Sequence, residues 1–367
     1  MKRVVLLKKN LNANGGLEKY TRKLAEEFAK KGCHVTLLAA EDGSIPYAEW
    51  IKLRCWGRGF LRMKSFDKAC KEWVDEHSPD CVFGLDRHSF QTHYRAGNGV
   101  HRHYLEIRKQ SCSWLKRLSF PLNPLHHLIL DMEKKTYEDP NIKTIFVNSK
   151  MVKDEIVHYY SKADSDKIQV VHNGVEWNDL ESSFNLWEEV KENAPFLFLF
   201  VGNGYERKGL SSLLQALAKV KEPFSLCVIG KDRNQKKYEV LAEQLGIHRQ
   251  ITFYGPQDSI IPFYMIADAT IIPSTYDPFA NVTLESLAMG VPVATSIHNG
   301  AKEVISEENG IVIPDIKDSD SFAEVLMGMM QSPKTPERAR RIRESVKNYD
   351  YSRQLHLIID KTLETLA

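Results

Sequence analysis

The chain has 367 residues, 43% of them hydrophobic, with 50 Lys and Arg against 48 Asp and Glu for a formal charge of +2. At roughly 150 residues per domain that length predicts two domains with sizeable cores, and the balanced charge argues against bulk nucleic-acid binding. The six cysteines form no C-x-x-C pair, so neither a metal centre nor redox chemistry is expected, and reduced thiols in a cytosolic protein are. No apolar run approaches the ~20 residues of a membrane span, and the apolar part of Lys2-Arg3-Val4-Val5-Leu6-Leu7 is too short for a signal peptide.

Val4–Leu7 reads as a buried strand. It leads through Asn10-Leu11-Asn12-Ala13-Asn14-Gly15-Gly16 into a helix with Leu17, Tyr20, Leu24 and Phe28 on one face. Gly32 stops that helix and Val35–Ala39 forms the next strand. This βαβ opening lacks G-x-G-x-x-G, so a dinucleotide cofactor is not indicated. Cys81–Leu85 reads as another strand, followed by a polar cluster of Asp86, Arg87, His88, His93, Asn98, His101 and His103. Loops at strand carboxyl ends carry function in open α/β sheets, although a solvated loop explains any one of these residues equally well. Residues 101–130 mix Arg102, Arg108, Lys109, Lys116 and Arg117 with Tyr104, Trp114 and Phe120. Such segments lie in anionic membrane interfaces, each cation contributing about 1 kcal/mol; a solvated helical hairpin is the alternative. Thr144–Val147 is a further strand, and Asn148-Ser149-Lys150 opens a helix through Ile156.

Ile168–Val171 ends in the turn signal Asn173-Gly174. Phe196–Val201 is an unbroken apolar run, the mark of a central parallel strand. After it come Gly202-Asn203-Gly204-Tyr205-Glu206-Arg207-Lys208-Gly209 and a helix carrying Leu210, Leu213, Leu214 and Leu217. Arg207 offers a planar fork and Lys208 a point charge, both suited to phosphate. Leu226–Ile229, Ile251–Tyr254 and Ala269–Pro273 are successive strands, each followed by a loop and a helix, which predicts a doubly wound sheet. The last strand runs into Asp277-Pro278-Phe279-Ala280-Asn281-Val282 and a helix bearing Val282, Leu284, Leu287 and Ala288 that stops at Gly290. Free amides and the helix dipole at that N-terminus make an anion site, bracketed by Asp277 and Glu285. A diphosphate on the amides near Ala280 and Asn281, with sugar hydroxyls on the carboxylates, fits this arrangement. Asp164-Ser165-Asp166 and Asp318-Ser319-Asp320 read as turn and N-cap residues rather than metal ligands. Helices Ser321–Met330, Pro336–Lys347 and Ser352–Leu366 close the chain.

The Asp277-x7-Glu285 spacing, the Arg207-Lys208 pair after a Gly-rich turn, the Asn173-Gly174-Val175 entry and the VNSKMVKDEI segment occur in one order. Together they resemble the family 4 retaining glycosyltransferases of GT-B fold, and within them the glucosyltransferases that extend the inner core of bacterial lipopolysaccharide. The resemblance implies an α/β fold of two Rossmann-like doubly wound domains facing across a cleft. Residues 1–167 form the acceptor-side domain, with 350–367 packing back on it, and 168–349 bind the nucleotide-sugar. It further implies that Gly15 and Gly16 close over the donor phosphates, and that Gly204, Phe279, Ala280, Asn281 and Val282 line the donor. Arg207 and Lys208 then neutralise the leaving diphosphate, Asp277 holds sugar hydroxyls and Glu285 the ribose. The N-domain catalytic position of the nearest relatives aligns with Asn98, with His101, His103 and Asp86 as alternatives. Asp277 stands where Glu is usual, one methylene shorter, and Asn281 where Gly is common. The implied reaction moves a hexose, glucose foremost, from a UDP-sugar to a lipopolysaccharide-core or other glycolipid acceptor, without cofactor or metal. The implied setting is cytoplasmic, peripheral on the inner membrane face through 101–130. The alternatives are GDP-mannose or another donor on a different acceptor, and an inactive nucleotide-sugar-binding protein.

Overall fold

The structure, a computed structural model, describes residues 1–11, 16–111, 120–187 and 195–366. They divide into two units: Met1–Val171 with Leu355–Ala367, and His172–Gln354.

Among the described residues, unit 1 holds a seven-stranded parallel sheet. Its strands are β1 (Arg3–Leu7), β2 (His34–Ala39), β3 (Glu49–Lys52), β4 (Cys81–Gly84), β5 (His93–Arg95), β6 (Thr144–Val147) and β7 (Ile168–Val170), in the order β3-β2-β1-β4-β5-β6-β7. β1 is central and Val4–Leu7 are wholly buried, because a parallel strand has helices on both faces. The Gly16–Lys30 helix buries Tyr20, Leu24 and Phe28, four residues apart on one face, with the Phe28 ring edge-on to Phe83 of β4. From β1 the chain builds outward to β3, then returns to β4, so strand order reverses between β1 and β4. β3 is an edge strand with no buried residue and exposed charges at both ends, and β5 is only three polar residues long, so neither shows as an apolar run in the sequence.

The final helix, Tyr351–Glu364, begins in unit 2 and ends in unit 1. It buries Leu355, Ile358, Ile359 and Thr362. Polar contacts fasten it to unit 1: Lys31 Nζ to Asp360 at 2.8 Å, His356 Nε2 to Glu27 at 2.9 Å and Lys143 Nζ to the Thr365 carbonyl at 2.9 Å. His93 Nε2 lies 2.7 Å from the Thr365 hydroxyl, and Lys2 Nζ donates to the Leu366 carbonyl.

Unit 2 holds, among the described residues, a six-stranded parallel sheet. It comprises β8 (Phe196–Val201), β9 (Phe224–Ile229), β10 (Ile251–Gly255), β11 (Ala269–Ile272), β12 (Val293–Ser296) and β13 (Gly310–Ile313), ordered β10-β9-β8-β11-β12-β13. Successive β8 residues point to opposite faces. Leu199 enters one core with Ile272, Leu284 and Leu287, whereas Phe198 and Phe200 enter the other with Leu213 and Leu214. Strand order reverses between β8 and β11, and crevices at such points are where open α/β sheets bind ligands.

Candidate active site

The carboxyl ends of β8 and β11 define the site. Past β8, residues Tyr205–Lys208 form a one-turn helix set between Gly204 (φ 74°) and Gly209 (φ 78°), conformations that glycine adopts without a steric penalty. A Cβ on Gly209 would lie 1.9 Å from the Pro273 carbonyl oxygen, so only glycine lets this turn press against the loop after β11. That loop replies in kind: the Thr275 amide and hydroxyl both donate to the Arg207 carbonyl, at 2.8 and 3.0 Å. The start of the turn is fixed by the Tyr205 amide on Asp232 (2.7 Å) and the Tyr205 hydroxyl on the Gly230 carbonyl (2.8 Å).

These restraints bring Arg207, Lys208 and Asp277 together. Arg207 Nη1 and Lys208 Nζ both donate to Asp277 Oδ2, at 2.9 and 2.8 Å, and the Phe279 amide donates to Oδ1 at 3.2 Å. Arg207 Nη1 also reaches the Tyr276 carbonyl at 3.1 Å. Asp277 and Lys208 are 7% and 8% exposed. Burial pushes the Asp277 carboxyl up, but the charges of Lys208 and Arg207 outweigh it and hold the group below the usual carboxylate range. Two cations thus face one carboxylate, Lys208 buried beside it and Arg207 partly open to solvent. A carboxylate accepts at about four positions, and three of Asp277's donors are already protein groups. In this structure the visible task of Asp277 is therefore to fix the two cations.

The helix start beside it, Asn281–Ala288, differs from the sequence reading in one respect. The Ala280 amide is not free for an anion: it donates to Asn299 Oδ1 at 3.1 Å. Asn299 is fully buried, and it also accepts from the Ala301 amide (3.1 Å) and donates to the Thr295 hydroxyl (2.8 Å). The reason is that the β12 loop runs alongside, with the Asp277 amide on the His298 carbonyl and the Gly300 amide on the Asp277 carbonyl. The next two amides, of Asn281 and Val282, lie in the first helical turn, which supplies them no acceptor. Asn281 is exposed, and its side-chain oxygen accepts from Asn173 at 2.6 Å. The Phe279 ring is buried in the core near His172, so it offers a ligand only its backbone. Gly204 is open, since a Cβ there meets nothing within 4 Å. Glu285 is half-buried, and the Tyr264 hydroxyl donates to its Oε2 at 3.0 Å. Burial and then the Glu285 charge push the Tyr264 hydroxyl well above its ordinary pKa, keeping it a donor.

In unit 1 the candidates scatter. Asn98 is exposed beyond β5. The His101 amide donates to Glu133 at 2.8 Å, and its Nε2 lies 3.0 Å from His126 Nδ1. Burial, then the charges of Arg87, His126 and Arg108, lower the His101 pKa to about 4, so the ring is neutral at physiological pH. His103 Nδ1 lies 3.0 Å from the Tyr159 hydroxyl. Asp86 accepts from Lys8 Nζ at 3.0 Å and from the Lys9 amide at 2.9 Å. Gly15 lies outside the described residues, and Gly16 begins the first helix. Of 101–130, residues 112–119 also lie outside; the helices His101–Ser111 and Pro124–Tyr137 flank them. The sequence reading missed Glu133, 2% exposed, which takes Arg87 Nε at 3.1 Å and the Tyr160 hydroxyl at 2.8 Å. Its only sequence signal is an acid next to Met132 in the apolar stripe of its helix. Both D-x-D segments are caps: Asp164 accepts from the Asp166 amide (3.0 Å) and Asp318 from the Asp320 and Ser321 amides (3.1 and 3.2 Å). Among the described residues no helix is long and apolar enough to cross a membrane.

Comparison with known proteins places these features in a family. The family model Glycosyltransferase Family 4 matches residues 14–178, and the model Glycosyl transferases group 1 matches 182–348. The uncharacterized glycosyltransferase MJ1607 of Methanocaldococcus jannaschii is 35% identical over 204 residues, 51% of this chain and 50% of that protein, so the chain spans half of that relative. The lipopolysaccharide glucosyltransferase WaaG of Escherichia coli K12 is 25% identical over 371 residues, 96% of this chain and 95% of WaaG. The crystal structure of WaaG superposes with a TM-score of 0.78 at 22% identity, covering 97% of this chain and 98% of that one. HepE of Anabaena, in complex with UDP-glucose, superposes with a TM-score of 0.70 at 15% identity over 99% of this chain and 100% of its own. With the two models leaving out only the chain ends and residues 179–181, the chain belongs to the GT-B-fold glycosyltransferases, as a relative of the lipopolysaccharide core glucosyltransferases.

Proposed function

We propose that the chain is a retaining transferase that moves a hexose, glucose foremost, from UDP-glucose to a lipopolysaccharide-core or other glycolipid acceptor. The observation that carries the reading is the Arg207–Asp277–Lys208 cluster, with Asp277 and Lys208 buried, at the strand-order reversal of unit 2. When the glycosidic bond of a nucleotide-sugar breaks, negative charge builds on the diphosphate. The Arg207 and Lys208 N–H groups not used by Asp277, with the Asn281 and Val282 amides, are already oriented to receive it, so little reorganisation is needed as charge develops. Asp277 keeps both cations aimed and has one acceptor position left for a sugar hydroxyl. Glu285, oriented by Tyr264, takes the ribose hydroxyls. No cofactor or metal enters this scheme. The glucose and acceptor assignments lean on the name of WaaG, and the UDP assignment on the UDP-glucose complex of HepE.

The segment 101–130 supports peripheral attachment to an anionic membrane: Leu122 is 81% exposed in it, and Arg102 and Arg108 lie on its first helix. Vesicle co-sedimentation tests this, with charge reversal at Arg108 and Lys109 expected to weaken binding to anionic lipid.

The deciding experiment is slow hydrolysis of a panel of nucleotide-sugars by the purified chain. UDP-glucose should be consumed fastest and yield UDP. A preference for GDP-mannose would replace the donor assignment, and no consumption or binding of any nucleotide-sugar would refute the enzyme reading.

A further inference from the structure

Unit 1 carries a concavity that the transfer reaction described above does not use. It lies where β2 and β3 end, measures about 440 Å³, and includes Lys52, Arg54 and Arg62 in its wall together with Glu41 and Asp42. That volume falls in the range of small-molecule pockets, and it opens at the carboxyl ends of β2 and β3, apart from the strand-order reversal between β1 and β4.

The local sequence explains why these groups converge. β2 and β3 pair in parallel, Ala39 opposite Lys52, so the segments beginning at Ala40 and Leu53 leave neighbouring strand ends side by side. The chain then reverses through Gly57 (φ 82°), where a Cβ would lie 2.7 Å from that of Leu61. The reversal starts the Phe60–His77 helix close by, and its first turn delivers Arg62 to the same place.

The charges do not cancel there. Lys52 Nζ is paired with Asp42 at 2.5 Å. Arg62 reaches Glu41 only at 3.4 Å and the Ala40 carbonyl at 3.5 Å, and its Nε is buried with no hydrogen-bond partner. The Arg62 side chain is 38% exposed, so the terminal N–H groups of its guanidinium, held only by these long contacts, are open to an acceptor in the pocket. Arg54 is exposed, and among the described residues it has no ion pair. Three cations therefore face two carboxylates, with both guanidinium groups under-used. Guanidinium forks match phosphate oxygens, while carboxylates accept from hydroxyl groups and from no anion. The two chemistries in one pocket describe a ligand that has both hydroxyls and a dianionic group.

We propose that this pocket binds a sugar bearing a phosphomonoester, with Arg54 and Arg62 on the phosphate and Glu41 and Asp42 on the hydroxyls. Its role as the place where an acceptor's phosphate docks rests on the proposed function; the binding itself does not. Calorimetric titration of the full chain, saturated with UDP, with glucose 6-phosphate, glucose and inorganic phosphate tests it. Glucose 6-phosphate should bind one-to-one and about ten-fold or more tighter than either of the others, because each supplies only half of the contacts. Arg54→Ala, an exposed change that spares folding, and Arg62→Gln should each weaken it by about ten-fold, while Lys208→Ala leaves it unchanged. Equal binding of glucose, or undiminished binding in the Arg54→Ala and Arg62→Gln double variant, would overturn the proposal. Inorganic phosphate binding as tightly as the sugar phosphate would remove the sugar from it. Loss of binding in Lys208→Ala would move the ligand to unit 2 and likewise overturn it. Failure of the donor panel would leave each of these outcomes readable, so the two ideas fall separately.

Discussion

The two units reverse their strand order in the same way, yet the charges placed at the two reversals differ. At the β1/β4 reversal of unit 1, one ammonium meets one carboxylate: Lys8 Nζ on Asp86 at 3.0 Å, with the Lys9 amide on the other oxygen. Deeper in the same unit, Arg87 and Glu133 are again matched one for one, with the Tyr160 hydroxyl and the His101 amide as the other donors to Glu133. At the β8/β11 reversal of unit 2, two cations share a single carboxylate oxygen. Matched charges with satisfied hydrogen bonds hold a fold together; an excess of cation is held in readiness for something that arrives. On the function proposed above, the difference separates polar groups that serve structure from those that serve chemistry.

The sharpest way to break this contrast is to cut one partner from each cluster. Glu133→Ala strands Arg87 in the interior and should destabilise the protein by about 3–5 kcal/mol, as breaking a buried ion pair does, read by urea unfolding; the donor KM of the protein that folds should be unchanged. Lys208→Ala should instead lower turnover by roughly 10²–10³, as loss of one oriented charge-stabilising donor does, with a smaller fall in melting temperature than Glu133→Ala causes. If the two variants exchange these phenotypes, the contrast is wrong. Asp277→Asn sharpens it through pH. The folded-state pKa of Asp277 is depressed, so its stabilising contribution is complete above the ordinary carboxylate range, about 4, and is lost as pH falls through the lower folded value. Denaturant midpoints of the parent and Asp277→Asn should thus differ at neutral pH and converge in acid; a gap that widens in acid contradicts the ion cluster. Glu285→Gln removes one charge-assisted acceptor and should raise donor KM about ten-fold with little change in kcat, measured by steady-state kinetics. The smallest effect concerns His101: with a pKa near 4, its imidazole NMR signals should not shift between pH 5.5 and 8, and a titration near neutrality would restore it as a candidate acid or base.

Much of the fold was readable because burial on both faces of a parallel sheet writes itself as apolar runs. Phe196–Val201 and Thr144–Val147 are strands with the very limits their composition suggests. The edge strand Glu49–Lys52 and the polar strand His93–Arg95 were not, since neither has an apolar run to announce it. The positions of Arg207 and Lys208 after β8 and of Asp277 after β11 were also readable, the first from a Gly-rich turn following a strand and the second from a loop between a strand and a helix. Their shared carboxylate oxygen was not, because the contact spans some 70 residues of sequence and depends on Gly209 meeting Pro273. The capture of the Ala280 amide by Asn299 escaped notice for a similar reason: a side chain from the next strand's loop supplies the acceptor. His93 looked like part of a reactive cluster, but burial lowers its pKa to about 3 and its Nε2 is bonded to Thr365. Periodicity reports what a residue faces, not which distant polar group will meet it.

The last helix carries a lesson about assembly. Residues His172–Gln354 are contiguous, whereas the other unit needs Leu355–Ala367 for completion, with Thr365 and Asp360 bonded to His93 and Lys31. Domains tend to fold as they leave the ribosome, yet here unit 1 lacks residues 355–366 until the whole of unit 2 has been made. The contiguous unit therefore has every residue of its own fold in hand before the discontinuous one does.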